Sequence, residues 1–144
     1  DSGVRLLKPQ FRRFTPLMRL DTEASGLMVL SQDGRAWRRL TEDYAQIEQE
    51  FVVETRGSTD PYTLSRIGHV ATYQGRGLAP CKVSWQTEVR LRFANKDVQP
   101  GELRHRCREG GLDVVSIRRL RIGRVALAKM PVGQWRYLGP DEQF

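Results

Sequence analysis

Apolar positions along this chain change their period several times, and each change marks an element. Leu27-Met-Val-Leu30 is a short apolar run closed by Ser31-Gln-Asp-Gly34, a turn signal. Trp37, Leu40 and Tyr44 then recur at helical spacing, which predicts a helix over Arg35 to Tyr44. Phe51-Val-Val-Glu-Thr55 is rich in β-branched residues and ends at Gly57, as a strand would. Asp60-Pro61 predicts a helix start, with Leu64, Ile67 and Val70 as its apolar stripe. Gly75-Arg-Gly77 and Pro80 predict a loop. Val89, Leu91 and Phe93 alternate with Arg90 and Arg92, so that strand has one buried and one basic face. Glu102 to Glu109 fits two helical turns stopped by Gly110-Gly111, with Leu103 and Cys107 on one face and Arg104 and Arg108 on its neighbour. Val114 to Ile117, Leu120 to Leu127 and Trp135 to Leu138 read as three further strands. Short strands mixed with helices, without regular βα alternation, predict an α+β fold with a largely antiparallel sheet.

Length fits one domain over residues 1–144, because 144 residues can bury one core but not two ordinary ones. Hydrophobic content of 39% and charged content of 28% are those of a globular chain. No apolar run approaches the roughly 20 residues that span a bilayer, and no secretory leader is visible. The expectation is a cytoplasmic monomer with no membrane partner. Cys81 and Cys107 lack metal-ligand spacing and read as free thiols. Trp37, Trp85 and Trp135 read as core, and His69 and His105 as surface or hydrogen-bonded residues.

Charge changes the picture more than composition does. The chain carries +7, but residues 22–100 hold ten groups of each sign. The excess lies in residues 5–19 (Arg5, Lys8, Arg12, Arg13, Arg19) and in residues 101–129. The second segment holds Arg104, Arg106, Arg108, Arg118, Arg119, Arg121, Arg124 and Lys129 against three acids. If the fold joins these segments they form a basic surface, and nucleic acid is the first partner to suspect. Arg118, Arg119, Arg121 and Arg124 are then candidate phosphate contacts, which position RNA without reading its sequence.

Arg19-Leu-Asp-Thr-Glu-Ala-Ser-Gly-Leu27 places Asp21 directly before an apolar run. Such an acid either caps a turn or is held there for chemistry. The sequence offers no phosphate loop, no metal-binding motif and no histidine cluster, so nucleophilic or acid–base work by a carboxylate is the chemistry left to consider. That work needs an ionised Asp21 with a cation beside it.

This stretch resembles the R-L-D-x-x-[ST]-x-G-L signature of bacterial RNA pseudouridine synthases, in the branch that modifies small- and large-subunit ribosomal RNA. Ser31-Gln-Asp-Gly34 resembles the branch's T-N-D-G. Glu48-Gln-Glu-Phe-Val-Val53 resembles its E-K-E-Y-x-V strand. Leu112 to Gly123 resembles G-Y-x-V-x-x-L-x-R-x-R-I-G, and Val132 to Leu138 resembles L-G-x-W-R-x-L. The order holds from about Phe14 to Phe144.

The resemblance implies the pseudouridine-synthase catalytic fold, a mixed, mainly antiparallel sheet flanked by helices. It implies isomerisation of uridine to pseudouridine in structured RNA without cofactor or metal, ribosomal RNA before tRNA. Asp21 would be the nucleophile, attacking ribose C1′ or base C6 of a flipped-out nucleotide. Arg19 would help hold the flipped geometry and Phe51 would stack on the base. Gly101-Glu-Leu-Arg-His-Arg106 stands at the family's R-Q-[IV]-R-R-M, which puts Arg104 on the arginine that pairs with the nucleophile. Catalytic residues are thus expected to be Asp21, Arg104 and Phe51. RNA contacts are expected at Arg19, Arg106, Arg118, Arg119, Arg121 and Arg124. Met18 replaces the family's glycine before R-L-D, Phe51 its tyrosine, and Gly101 and Arg106 the ends of the third motif. The family's N-terminal strand is expected to be missing, with Lys8-Pro9 a poor remnant, and so is the S4-type RNA-binding domain. A non-catalytic RNA-binding or ribosome-assembly module of the same fold is the other reading.

Overall fold

The computed structural model describes residues 5–6, 15–139, 142 and 144. Lys8-Pro9, Arg12 and Arg13 lie outside the described residues. The main sheet runs β11 (Val125–Ala126), β10 (Asp113–Ile122), β5 (Glu48–Arg56), β9 (Arg90–Lys96), β8 (Val83–Trp85), all antiparallel. β3 (Ser25–Gly26) adds a short parallel pairing to β10. The expected mixed, mainly antiparallel α+β fold is therefore present. Three small ladders complete it: β1 (Arg5–Leu6) with β12 (Gln134–Trp135), β2 (Thr15–Leu17) with β4 (Val29–Ser31), and β6 (Thr72–Tyr73) with β7 (Arg76–Gly77).

Strict alternation in β5 decides the faces. Gln49, Phe51, Val53 and Thr55 are buried, while Glu48, Glu50, Val52 and Glu54 are half-buried. The inner face packs on α2 (Thr63–Gly68) and α3 (Glu102–Glu109), through a core of Phe51, Val53, Ile67, Leu91, Phe93, Leu103, Cys107 and Ile117. A second core joins Leu17, Met18, Leu27 and Val29 to Leu40 of α1 (Gly34–Glu42), to Ile122 at the end of β10 and to Val125 of β11. Asp33 caps α1, accepting from Arg35 N at 2.8 Å.

The outer face is an arginine–glutamate ladder. Arg92 Nε lies 2.7 Å from Glu50 Oε1, Arg121 Nε 3.1 Å from Glu50 Oε2, Arg121 Nη2 2.5 Å from Glu48 Oε1, and Arg90 Nη2 3.4 Å from Glu54 Oε1. The bond from Arg92 is the main reason the Glu50 carboxyl titrates below the usual glutamate range.

Several expected elements differ. Val114–Ile117 and Leu120–Ile122 form one strand, β10, which turns at Gly123 into β11. The helix expected at Asp60 begins at Thr63, because Asp60 closes a preceding turn by accepting from Tyr62 N at 2.7 Å. The expected Gly75 loop is a tight hairpin. Trp37 is 47% exposed, not core, since α1 turns only Leu40 fully inward. Trp85 does pack against the first core. His69 and His105 sit 2.9 Å from the carbonyls of Ser65 and Thr72. Both cysteines are free, and burial pushes the Cys107 thiol up to about 12. Among the described residues no helix is long and apolar enough to cross a membrane, and no three potential ligands gather around a metal position.

Candidate active site

Asp21 sits in the loop that links β2 to β3. Its backbone carbonyl accepts from Ala24 N at 2.9 Å, and its Oδ1 accepts from Glu23 N at 3.1 Å, a local turn of the kind aspartate favours. The turn-capping reading of the acid is therefore present. Oδ1 caps the turn, and Oδ2 is left to face Arg104, whose Nε lies 3.7 Å away. That is ion-pair range but too long for a hydrogen bond. The pair is sheltered, the side chains being 17% and 24% exposed. Arg104 Nη2 also reaches Glu23 Oε2 at 3.4 Å, although that carboxylate is 75% exposed.

Arg104 belongs to the first turn of α3, which starts after Gly101. Gly101 has φ +86, and a side chain there would run into the Tyr73 hydroxyl and come within 3.9 Å of Asp21 Oδ2. Glycine thus makes room for the Tyr73 hydroxyl at the helix start, where the partial positive charge of a helix N-terminus favours an anion.

Asp21, Arg19, Ala24, Phe51, Pro100 and Leu103 line one cleft, with Gln49 and Ile117 at its base. Its open volume is only about 20 Å³, room for about one water. Phe51 is 5% exposed and belongs to the first core as well as to the cleft. The sequence thus located three members of the cleft and its rim: Asp21, Arg19 and Phe51, with Arg104 against Asp21.

The expected RNA contacts divide differently. Arg19, Arg118 and Arg124 are exposed. Arg118 pairs in register with Val52 on the outer face of the sheet, opposite to the cleft. Arg121 is held by Glu48 and Glu50 on that same face. Two arginines are not on the surface at all, which corrects their expected role. Arg106 is 2% exposed and donates to the carbonyls of Ile67, Gly68 and Ala79, while pairing with Glu102 at 3.2 Å. Arg119 is 1% exposed and donates to the carbonyls of Leu27 and Met18 and to Gln49 Oε1. Both spend their donors inside the fold, where no phosphate reaches.

Sequence reasoning missed Gln49, Tyr44 and the Val98–Gly101 segment. Gln49 Nε2 donates to Val98 O at 3.3 Å, and the Tyr44 hydroxyl donates to the same carbonyl. The available signal was a polar residue at an inward position of β5.

Comparison with known proteins gives the same fold. A crystal structure of a pseudouridylate synthase superposes with a TM-score of 0.78 at 18% identity, over 92% of this chain and 59% of that one. The chain is similar to the dual-specificity RNA pseudouridine synthase RluF of Salmonella typhi, 26% identical over 131 residues. It is also similar to the ribosomal large subunit pseudouridine synthase B of Yersinia pestis, 27% identical over 139 residues. Those alignments take in 91% and 93% of this chain but 45% and 44% of the relatives, so the chain spans less than half their length. No protein-family model matches the chain. The resemblance read from the motifs thus extends to similarity with RNA pseudouridine synthases over 91–93% of this chain, and to the pseudouridine-synthase fold.

Proposed function

We propose that this chain carries the catalytic part of an RNA pseudouridine synthase that acts on a uridine in structured RNA, ribosomal RNA first. The observation that carries the reading is the Asp21–Arg104 pair, at 3.7 Å, set against the cleft that Phe51 also lines. The similarity to ribosomal RNA enzymes supports the substrate class.

The chemistry conserves every atom. The bond from N1 to C1′ breaks, the uracil turns, and a bond from C5 to C1′ forms. The C5 proton leaves and N1 takes one up. No oxidant or co-reactant is consumed, so a carboxylate and a shaped pocket suffice. Asp21 attacks at C1′ or C6 to loosen the base. Arg104 faces the carboxylate with its guanidinium and holds it aimed while it is sheltered from bulk water. Phe51 supplies an apolar surface for the flipped base but has no hydroxyl to take the C5 proton, so that proton goes to water or another group. Arg19, exposed at the mouth, contacts the backbone of the target nucleotide. Arg118 and Arg124 serve as outlying phosphate contacts.

The narrow cleft and the missing hydroxyl of Phe51 favour one second reading, a non-catalytic RNA-binding module. Tritium release from ribosomal RNA labelled at uridine C5 separates the two. The enzyme releases tritium and Asp21→Asn does not, while both bind RNA alike. A wild-type chain that binds the RNA, releases nothing and leaves no pseudouridine would establish the module instead.

A further inference from the structure

Burying an arginine is expensive unless every donor is used, and an apolar residue of like volume usually stabilises as well or better. Arg119 is the large exception in the core that its position makes most useful. Its Nε and Nη2 both hold the Leu27 carbonyl, at 2.9 and 2.7 Å, and its Nη1 holds the Met18 carbonyl at 2.6 Å. Met18 and Leu27 flank the segment, the Asp21 loop and β3, that carries Arg19 and Asp21. Met18 has φ +50, a left-handed conformation that a non-glycine residue keeps only when its surroundings hold it. The backbone of Arg119 adds a bond from Leu27 N at 2.9 Å. It also lies in one rung of the sheet with Phe51 on one side and Gly26 on the other.

The grip continues across the cleft. Arg119 Nη1 also donates to Gln49 Oε1 at 3.1 Å, and Gln49 Nε2 donates to Val98 O at 3.3 Å. Val98 begins the segment that enters α3, the helix of Arg104. Gln49 is 1% exposed, so water does not compete for these bonds. Burial lowers the Arg119 pKa to about 10, which still leaves the guanidinium charged at neutral pH.

We infer that Arg119 is a positioning residue: with Gln49 it ties the Asp21 loop to the segment before α3, and so sets the separation of Asp21 from Arg104. The catalytic consequence rests on the function proposed above; the geometric one does not.

Two variants test it. Arg119→Lys keeps a charge but cannot hold both carbonyls with a planar fork. Gln49→Met leaves the bonds from Arg119 to the Met18 and Leu27 carbonyls in place and removes the bridge itself, both the bond accepted from Arg119 Nη1 and the bond donated to Val98 O. The nitrogen-15 signal of Arg104 Nε reports its contact with Asp21, and Asp21→Asn, in which Nε faces no carboxylate while Nη2 keeps Glu23, is the reference. In both variants that signal should move toward the reference. Tritium release per folded molecule should fall about tenfold or more in kcat, with KM for RNA unchanged within about threefold. If Arg119→Lys does not fold, Gln49→Met decides alone. An unmoved Arg104 signal in a folded variant overturns the inference, and so does a loss confined to KM. If the wild type releases no tritium, the proposed function fails while the Arg104 signal still decides the positioning role.

Discussion

Arg104 Nε stands 3.7 Å from Asp21 Oδ2 while its Nη2 stands 3.4 Å from Glu23 Oε2. One guanidinium thus serves two carboxylates, one sheltered and one in water. The sheltered pair matters more, because solvent screens the other. Arg104→Met should abolish most tritium release. Arg104→Lys should retain a little, since an ammonium supplies charge without the planar fork. Glu23→Gln should leave the rate within about twofold, as expected for an exposed pair. A rate in Arg104→Met equal to wild type would remove Arg104 from the chemistry.

Gly26 supports the same loop by having no side chain. Its φ is +109, and a Cβ there would collide with the backbone of Arg119. Gly26→Ala should therefore destabilise the chain by about 2 kcal/mol or more, the cost of a forced backbone conformation plus a displaced strand. Denaturant unfolding measures this. A midpoint unchanged from wild type would mean that β3 can leave β10 without penalty.

Arg106 separates a structural arginine from an RNA contact. Arg106→Met leaves the buried Glu102 without its cation and removes a donor from the carbonyls of Ile67, Gly68 and Ala79, of which Gly68 keeps Cys81 N, at a cost of about 3–5 kcal/mol. The salt dependence of RNA binding by the folded fraction should not change. Arg19→Met should do the opposite, leaving stability alone and lowering the salt slope by about one. Binding titrations at several ionic strengths check both.

Acid should loosen the C-terminal end. Two bonds from Arg136, at 2.5 and 2.6 Å, lower the Glu142 carboxyl to about 2, with help from Gly139 N. The folded value lies below the unfolded value of 4.5. The stabilisation is thus fully present above pH 4.5 and is lost as pH falls from there through about 2. Arg136→Met should return the Glu142 titration toward 4.5 and flatten this part of the acid limb, as carbon-13 carboxyl shifts would show. A Glu142 titration near 4.5 in the wild type would contradict the contact.

The elements that were legible in the sequence are those whose own pattern determines them. Leu91 and Phe93 against Arg90 and Arg92 gave β9 its two faces, and Leu103 with Cys107 gave α3 its buried side at the right residues. Asp21, Phe51 and Arg104 came from motif order, since their meeting depends on pairings far along the chain. Charge alone does not tell a buried arginine from an exposed one; strand register does. In Ile117-Arg-Arg-Leu-Arg121, Arg119 shares the inward phase with Ile117. Arg121 would share it too, but a bulge between Arg119 and Arg121 returns it to the outer face. Arg106 carried its own signal, an acid one helical turn before it at Glu102. Trp37 looked like core by size, yet only Leu40 of α1 had a partner surface.

The cleft at Asp21 holds about 20 Å³, and a pyrimidine ring is several waters in volume. On the proposed function, a base that enters beside Asp21 needs more room than this, so the lining of the cleft must give way. Binding and opening become one equilibrium, and the observed affinity is the intrinsic one scaled by the fraction of open molecules. An RNA that already presents its uridine unstacked does not reduce this cost, because the cost lies in the protein. Discrimination between RNAs would then act on how well each holds the cleft open, and a variant that rests open would bind more RNAs, more tightly, and choose among them less well.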